Sequence, residues 1–140
     1  MNQSERRAST LLTRSPSPAG RQVACVRGRC AERVVAAWLV ERGFDIVATN
    51  LRLGHYELDI VARLGPLIVV VEVRTRAARA WTSAFGSVDA GKRRRIRLAG
   101  ERLWQRRYRN DPSAERMRFD AASVSFEEKE PQIEYAVAAF

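Results

Sequence analysis

The spacing of apolar and polar positions changes character along the chain, and each change marks an element. From Val26 to Arg42, Ala31, Val34, Val35, Trp38 and Leu39 recur at helical spacing and Gly43 supplies a stop, which predicts an amphipathic helix. Phe44 to Arg52 alternates loosely as a strand, and Gly54-His55 turns the chain. From Tyr56 to Arg76, two runs rich in β-branched residues flank Leu64-Gly65-Pro66-Leu67, a pattern for two antiparallel strands joined by a tight turn. Leu67 to Val73 is almost unbroken in its apolarity, so the second of these strands is predicted to be central and covered on both faces. Helical spacing returns over Asp89 to Arg109, with Ile96, Ala99, Leu103 and Trp104 on the inner side, and Asn110-Asp111-Pro112-Ser113 breaks it. Arg116 to Phe126 and Ile133 to Phe140 read as two further strands around Glu127-Glu128-Lys129-Glu130-Pro131. The order α-β-β-β-α-β-β implies a mixed α/β sheet with helices packed on it. Residues 1–22 hold Ser, Arg, Pro and Gly with almost nothing to bury, and are predicted to be a disordered basic tail before a domain at 23–140.

The hairpin carries acids. A turn centred between Gly65 and Pro66 sets Leu64 against Leu67 and, carried back along the strands, Asp59 against Glu72 and Glu57 against Arg74. Opposed Cβ atoms lie ~5 Å apart, where like charges destabilise a sheet. A divalent cation would compensate, because hard ions such as Mg²⁺ are held by one or two carboxylates together with waters and phosphates. The alternative is a half-solvated strand whose charges alternate with apolar residues and whose acids are neutralised by Arg74 or Arg76. The apolar run around Glu72 weighs against that, since a buried Glu without a partner is costly. Glu32, read alone, is an acid at a helix start, where it favours the dipole. His55 is the sole histidine and sits in a turn, so no zinc set exists around it.

Charge changes the picture more than size does. The 140 residues with 46% hydrophobic content suit one domain with a real core, but the net charge of +9 makes an acidic polymer or surface the natural partner. Of the 25 cations only Lys92 and Lys129 are lysine. After Asp89 at its start, the second helix holds Lys92, Arg93, Arg94, Arg95, Arg97, Arg102, Arg106, Arg107 and Arg109 against the single acid Glu101, a nearly unmixed charge that points to phosphate. The loop before it carries Trp81 and Phe85, which would either stack on a base or cover the edge of the core. Cys25 and Cys30 match no standard metal motif and are expected to be reduced. No apolar run approaches the ~20 residues of a membrane span and no signal-like apolar core follows the N-terminal arginines, so a cytoplasmic chain away from the membrane is expected.

Taken together, Gly28-x-x-x-Glu32, Asn50-x-Arg52, Gly54-x-x-Glu57-Leu-Asp59, Val71-Glu72-Val-Arg74-x-Arg76, Phe85-Gly86-Ser87-Val88, Lys92-Arg-Arg-Arg and Arg118-Phe119-Asp120 resemble the YraN family. That bacterial family is similar to the PD-(D/E)xK nuclease superfamily, which includes archaeal Holliday-junction resolvases. The resemblance spans Val26 to Phe140. It implies a restriction-endonuclease-like fold and a Mg²⁺- or Mn²⁺-dependent endonuclease acting on nucleic acid, by superfamily analogy branched DNA, as a homodimer. It further implies that Asp59 and Glu72 bind the metal, that Glu57 and Glu32 support them, and that Arg74 stands where the superfamily has its lysine. Lys92 on the following helix is the substitute that the chain itself offers. Arg76, Lys92, Arg93, Arg94, Arg95 and Arg97 are the expected nucleic-acid contacts, and a fold retained for binding without catalysis is the alternative.

Overall fold

The structure is a computed structural model that describes residues 18–76 and 90–140, and of residues 18–27 the backbone alone. Helix α1 (Pro18–Glu41) precedes strands β1 (Asp45–Leu53), β2 (Tyr56–Leu64) and β3 (Leu67–Thr75). Helix α2 (Ala90–Leu103), extended by a π-helical turn at Trp104–Tyr108, leads to β4 (Arg116–Ser125) and β5 (Gln132–Ala136). The order is the one the hydropathy pattern predicts. The strands form one sheet in the order β1-β2-β3-β4-β5. Neighbours are antiparallel except β3 and β4, which run parallel because α2 carries the chain back between them. Among the described residues no helix is long and apolar enough to cross a membrane.

Both faces of the sheet are covered. Ala31, Val35 and Leu39 of α1 pack on Ile60, Ala62, Val69, Val71, Ala122 and Val124. Ile96, Ala99 and Leu103 of α2 pack on Leu58, Val61, Ile68 and Val70. Successive β3 residues therefore serve opposite cores, which is why this strand reads as an unbroken apolar run rather than an alternating one. Each such fully buried side chain contributes about 1.5–3 kcal/mol. Helix α2 sits close to the sheet, because a Cβ at Gly100 would lie 2.6 Å from the Phe119 ring.

Turn chemistry sets the register. Gly43, at φ 90°, closes α1 with its N–H on Val40 O (3.0 Å) and Phe44 N–H on Leu39 O (3.1 Å), the paired bonds of a Schellman end. Gly65, at φ 58°, opens the two-residue turn that pairs Leu64 with Leu67. Two boundaries differ from expectation. Helix α1 begins at Pro18, so residues 18–22 are helical rather than tail; proline's fixed φ suits a first helical position. Strand β5 stops at Ala136 instead of Phe140, because Ala138 turns at φ 51° to donate its N–H to Asp120 Oδ1 at 2.8 Å. Phe140 then packs near Phe119, ring centroids 6.0 Å apart, on the α2 side. Residues 1–17, and the loop with Trp81 and Phe85, lie outside the described residues.

Candidate active site

The predicted hairpin register holds from Leu64↔Leu67 to Ile60↔Val71 and ends there. Beyond it β2 stays with β1 as far as Tyr56, while β3 stays with β4 as far as Thr75. The expected ladder pairs Asp59 with Glu72 and Glu57 with Arg74 are therefore not formed. In their place Asp59 Oδ2 accepts the backbone N–H of Val73 at 2.8 Å, so a side chain takes the bond that a ladder would have used. The distortion has a local source. The β1–β2 register passes from Thr49↔Ile60 to Leu51↔Leu58 without pairing Asn50 and Asp59, and Asn50 adopts φ 49°. Leu58 and Ile60, two residues apart, consequently pack in opposite cores.

This fork brings Asp59 and Glu72 together without a ladder. Burial, then the charge of Glu72, then a hydrogen bond with its carboxyl and the charge of Glu32 push the Asp59 carboxyl up to about 8, against the Val73 N–H, which lowers it. Glu72 is buried, and its Oε1 is ion-paired with Lys92 Nζ. Arg74 follows two residues on and is half-buried. Lys92 reaches this point because it shares the inward stripe of α2 with Ile96, Ala99 and Leu103.

The supporting acids are engaged elsewhere. Glu32 accepts a hydrogen bond from Asn50 Nδ2 at 2.7 Å, and Glu57 lies 3.7 Å from Arg52 on the exposed side. Glu32, Asn50, Arg52 and Glu57, with Arg29, line a cleft of about 450 Å³. Among the described residues no three His, Cys, Asp or Glu side chains are grouped to hold a metal ion. The donor set thus does not make a full protein cage. Two carboxylates with oxygen donors alone do fit a hard cation that completes its shell from water and phosphate.

The expected nucleic-acid contacts divide into two groups. Arg94, Arg95 and Arg97 are exposed on α2 and Arg93 is half-buried, and Arg93, Arg94 and Arg97 border a depression of about 400 Å³ that also includes Leu98 and Phe140. Lys92 instead turns inward to Glu72, and Arg76 pairs with Glu134 of β5 at 3.2 Å.

Sequence reasoning gave no role to Asp120, which is fully buried. It accepts Arg118 Nε and Nη2 at 2.8 Å each, Tyr135 OH at 2.6 Å and Ala138 N–H at 2.8 Å. Tyr135 in turn stacks on Trp38 of α1, centroids 4.7 Å apart. The available signal was an Arg and an Asp two apart on one strand face, next to the apolar run Ala121 to Val124. Asn50 was likewise visible only as part of a motif, although an Asn at a strand irregularity is a residue that tolerates positive φ.

Residues 31–124 match the model of the uncharacterised protein family UPF0102. A UPF0102 protein of Sorangium cellulosum is 50% identical over 81% of this chain and 79% of its own length. One from an Anaeromyxobacter species is 38% identical over 81% of this chain and 84% of its own. Another, from Pseudomonas paraeruginosa, is 36% identical over 81% of this chain and 91% of its own. The matched segment runs from the helix that carries Glu32 to the strand that carries Asp120, and so includes Asp59, Glu72, Arg74 and Lys92. The chain belongs to the uncharacterised protein family UPF0102, the YraN family.

Proposed function

We propose that this protein is a metal-dependent endonuclease-like hydrolase of DNA phosphodiesters. The observation that carries the reading is the Asp59–Glu72 carboxyl pair at the fork of β2 and β3, where half-buried Asp59 and buried Glu72 sit together with a lysine on one of them. A fold does not bring two carboxyls into contact away from water without something to offset their repulsion. Asp59 and Glu72 would hold Mg²⁺ or Mn²⁺, which when bound supplies an activated water and offsets charge at the phosphate. Arg74, two residues beyond Glu72, would grip a phosphate oxygen through its fork of N–H donors. Exposed Arg94, Arg95 and Arg97 would follow the DNA backbone without reading sequence. The test is incubation of labelled linear and four-way DNA with Mg²⁺ or Mn²⁺. Cleavage is expected from the wild type and is lost with chelator, in Asp59→Ala and in Glu72→Ala; equal cutting by those variants would expose a contaminant and sink the reading.

A second reading is favoured by one observation: Glu72 is already neutralised by Lys92, and Glu32 and Glu57 are held by other partners. Under it the protein binds nucleic acid without cutting it. Affinity would then fall steeply as salt rises, through counterion release, and ignore chelator. Loss of binding on chelation would remove this alternative.

A further inference from the structure

We propose that Lys92 on α2 is the working lysine of this site, standing in for the strand lysine whose place Arg74 occupies; the inference rests on the nuclease reading above.

Four observations converge on it. Lys92 touches Glu72 directly, whereas Arg94, Arg95 and Arg97 of the same helix are exposed. It lies on the helical stripe of Ile96, Ala99 and Leu103, so its backbone faces the sheet although its side chain stays partly exposed. The helix that carries it lies close on the sheet, because Gly100 allows it to rest against Phe119 without room for a Cβ. Finally, this chain uses arginine almost everywhere, with only Lys92 and Lys129 as lysines among 25 cations, and Lys129 lies on the exposed turn between β4 and β5. A lysine in that setting meets a need that arginine does not. The ammonium is a compact point charge with three rotatable donors, small enough to serve a carboxylate, a water and a phosphate oxygen at once; the guanidinium is a planar fork suited to one two-pronged partner.

The division of labour follows. Lys92 orients Glu72 and the attacking water and lends positive charge to the phosphate, while Arg74 grips the phosphate from the strand. In the hydrolysis, the water oxygen bonds to phosphorus and the bond from phosphorus to the leaving sugar oxygen breaks. The water proton passes to solvent and the leaving oxygen takes one from solvent. Lys92 acts by position and charge.

The test compares the wild type, Lys92→Ala, Lys92→Arg and the double variant Lys92→Ala/Arg74→Lys on labelled DNA with Mn²⁺, each confirmed as folded by circular dichroism. Lys92→Ala should cut about 100-fold more slowly, a typical loss for one transition-state donor. Lys92→Arg, which keeps stem and charge and guards against misfolding, should still lose about tenfold, because a fork cannot replace a point donor. Returning a lysine to the strand in the double variant should recover activity over Lys92→Ala. A readout independent of turnover uses the fact that there are only two lysines. With ¹³C,¹⁵N-lysine, adding Mg²⁺ and an uncleavable phosphorothioate duplex should move the Lys92 side-chain signal and leave that of Lys129 in place. If the wild type cuts in an Asp59-dependent way and Lys92→Ala cuts equally fast, the assignment of Lys92 fails while the nuclease reading stands. If the wild type cuts nothing, the nuclease reading fails and takes this inference with it. An unmoved Lys92 signal overturns the assignment by itself.

Discussion

Asp59 on β2 and Asp120 on β4 lie on either side of the same central strand, β3; Asp120 is fully buried and Asp59 half-buried. Asp120 receives four donors: two from Arg118, one from Tyr135 and one from the backbone of Ala138. It is a charge whose compensation is built in. Burial, and then the hydrogen bond to Asp120, hold the Tyr135 hydroxyl well above the ordinary phenol range, and the hydrogen bond to Asp120 likewise raises Arg118. Asp59 accepts the Val73 N–H, and Glu72 beside it is another carboxyl. On the proposed reading, the difference separates a carboxylate that the fold uses from one held for a cation. A structural acid is saturated by the protein; a working acid leaves part of its requirement to something that arrives.

The largest effect that would break this contrast belongs to the saturated side. Asp120→Ala would strand the Arg118 guanidinium and the Tyr135 hydroxyl in the interior and free the turn at Ala138. The expected loss is about 3–5 kcal/mol, the range for removing one member of a buried charge pair. Urea denaturation measures it, and a loss no greater than that of Asp59→Ala would erase the distinction between the two acids.

The metal comes next. If Asp59 and Glu72 are completed by a cation, Mn²⁺ at about a hundred times its Kd stabilises the protein by about 2.7 kcal/mol. Thermal melts with and without chelator should show this in the wild type and in Asp120→Asn if that variant folds, but in neither Asp59→Ala nor Glu72→Ala. A metal-induced shift that survives in Asp59→Ala would place the ion elsewhere.

A smaller change tests the helix that joins the two sides. Gly100→Ala forces a Cβ against the Phe119 ring of β4, for a cost of about 1–3 kcal/mol by overpacking. Because α2 must move outward to make room, Lys92 should retreat from Glu72, so the variant should lose more cleavage than its stability loss explains. Unchanged cleavage in a measurably destabilised Gly100→Ala would show that the α2 position is not coupled to the acids.

Most of the architecture was legible in the sequence because it rests on period and turn chemistry. The unbroken run Leu67 to Val73 announced a strand covered on both sides, and Gly43 and Gly65 marked a stop and a turn whose positive φ they alone supply cheaply. The hairpin register was right as far as it pairs. What could not be read was where pairing ends, since that depends on β1 and β4 competing for β2 and β3, and on Asn50 leaving the ladder. The same non-local competition explains why Glu57 faces Arg52 across β1–β2 instead of Arg74 across β2–β3. Lys92 was partly visible: its stripe with Ile96 and Ala99 is a sequence pattern, but its meeting with Glu72 is created by the crossover between parallel strands.

The dependence on pH most sharply separates the two acids. Asp59 titrates at about 8 in the folded chain and near 3.8 when unfolded, so between these values the native state holds a proton that the unfolded state has lost. Stability therefore falls with rising pH across that interval: the contribution is complete below about pH 4, declines through neutrality and is gone above about pH 8. Asp59→Asn keeps the shape and removes the titration. Its metal-free stability should lie within about 1 kcal/mol of the wild type at low pH and equal or exceed it at high pH, with a flatter profile between. Asp120→Asn should show no such crossover, because what it disturbs is the set of bonds from Arg118, Tyr135 and Ala138. Urea melts of both variants from pH 4 to pH 9 in chelator decide the matter: parallel wild-type and Asp59→Asn profiles would mean that Asp59 ionises normally, and that the pair at the β2–β3 fork carries no unmet charge for a cation to satisfy.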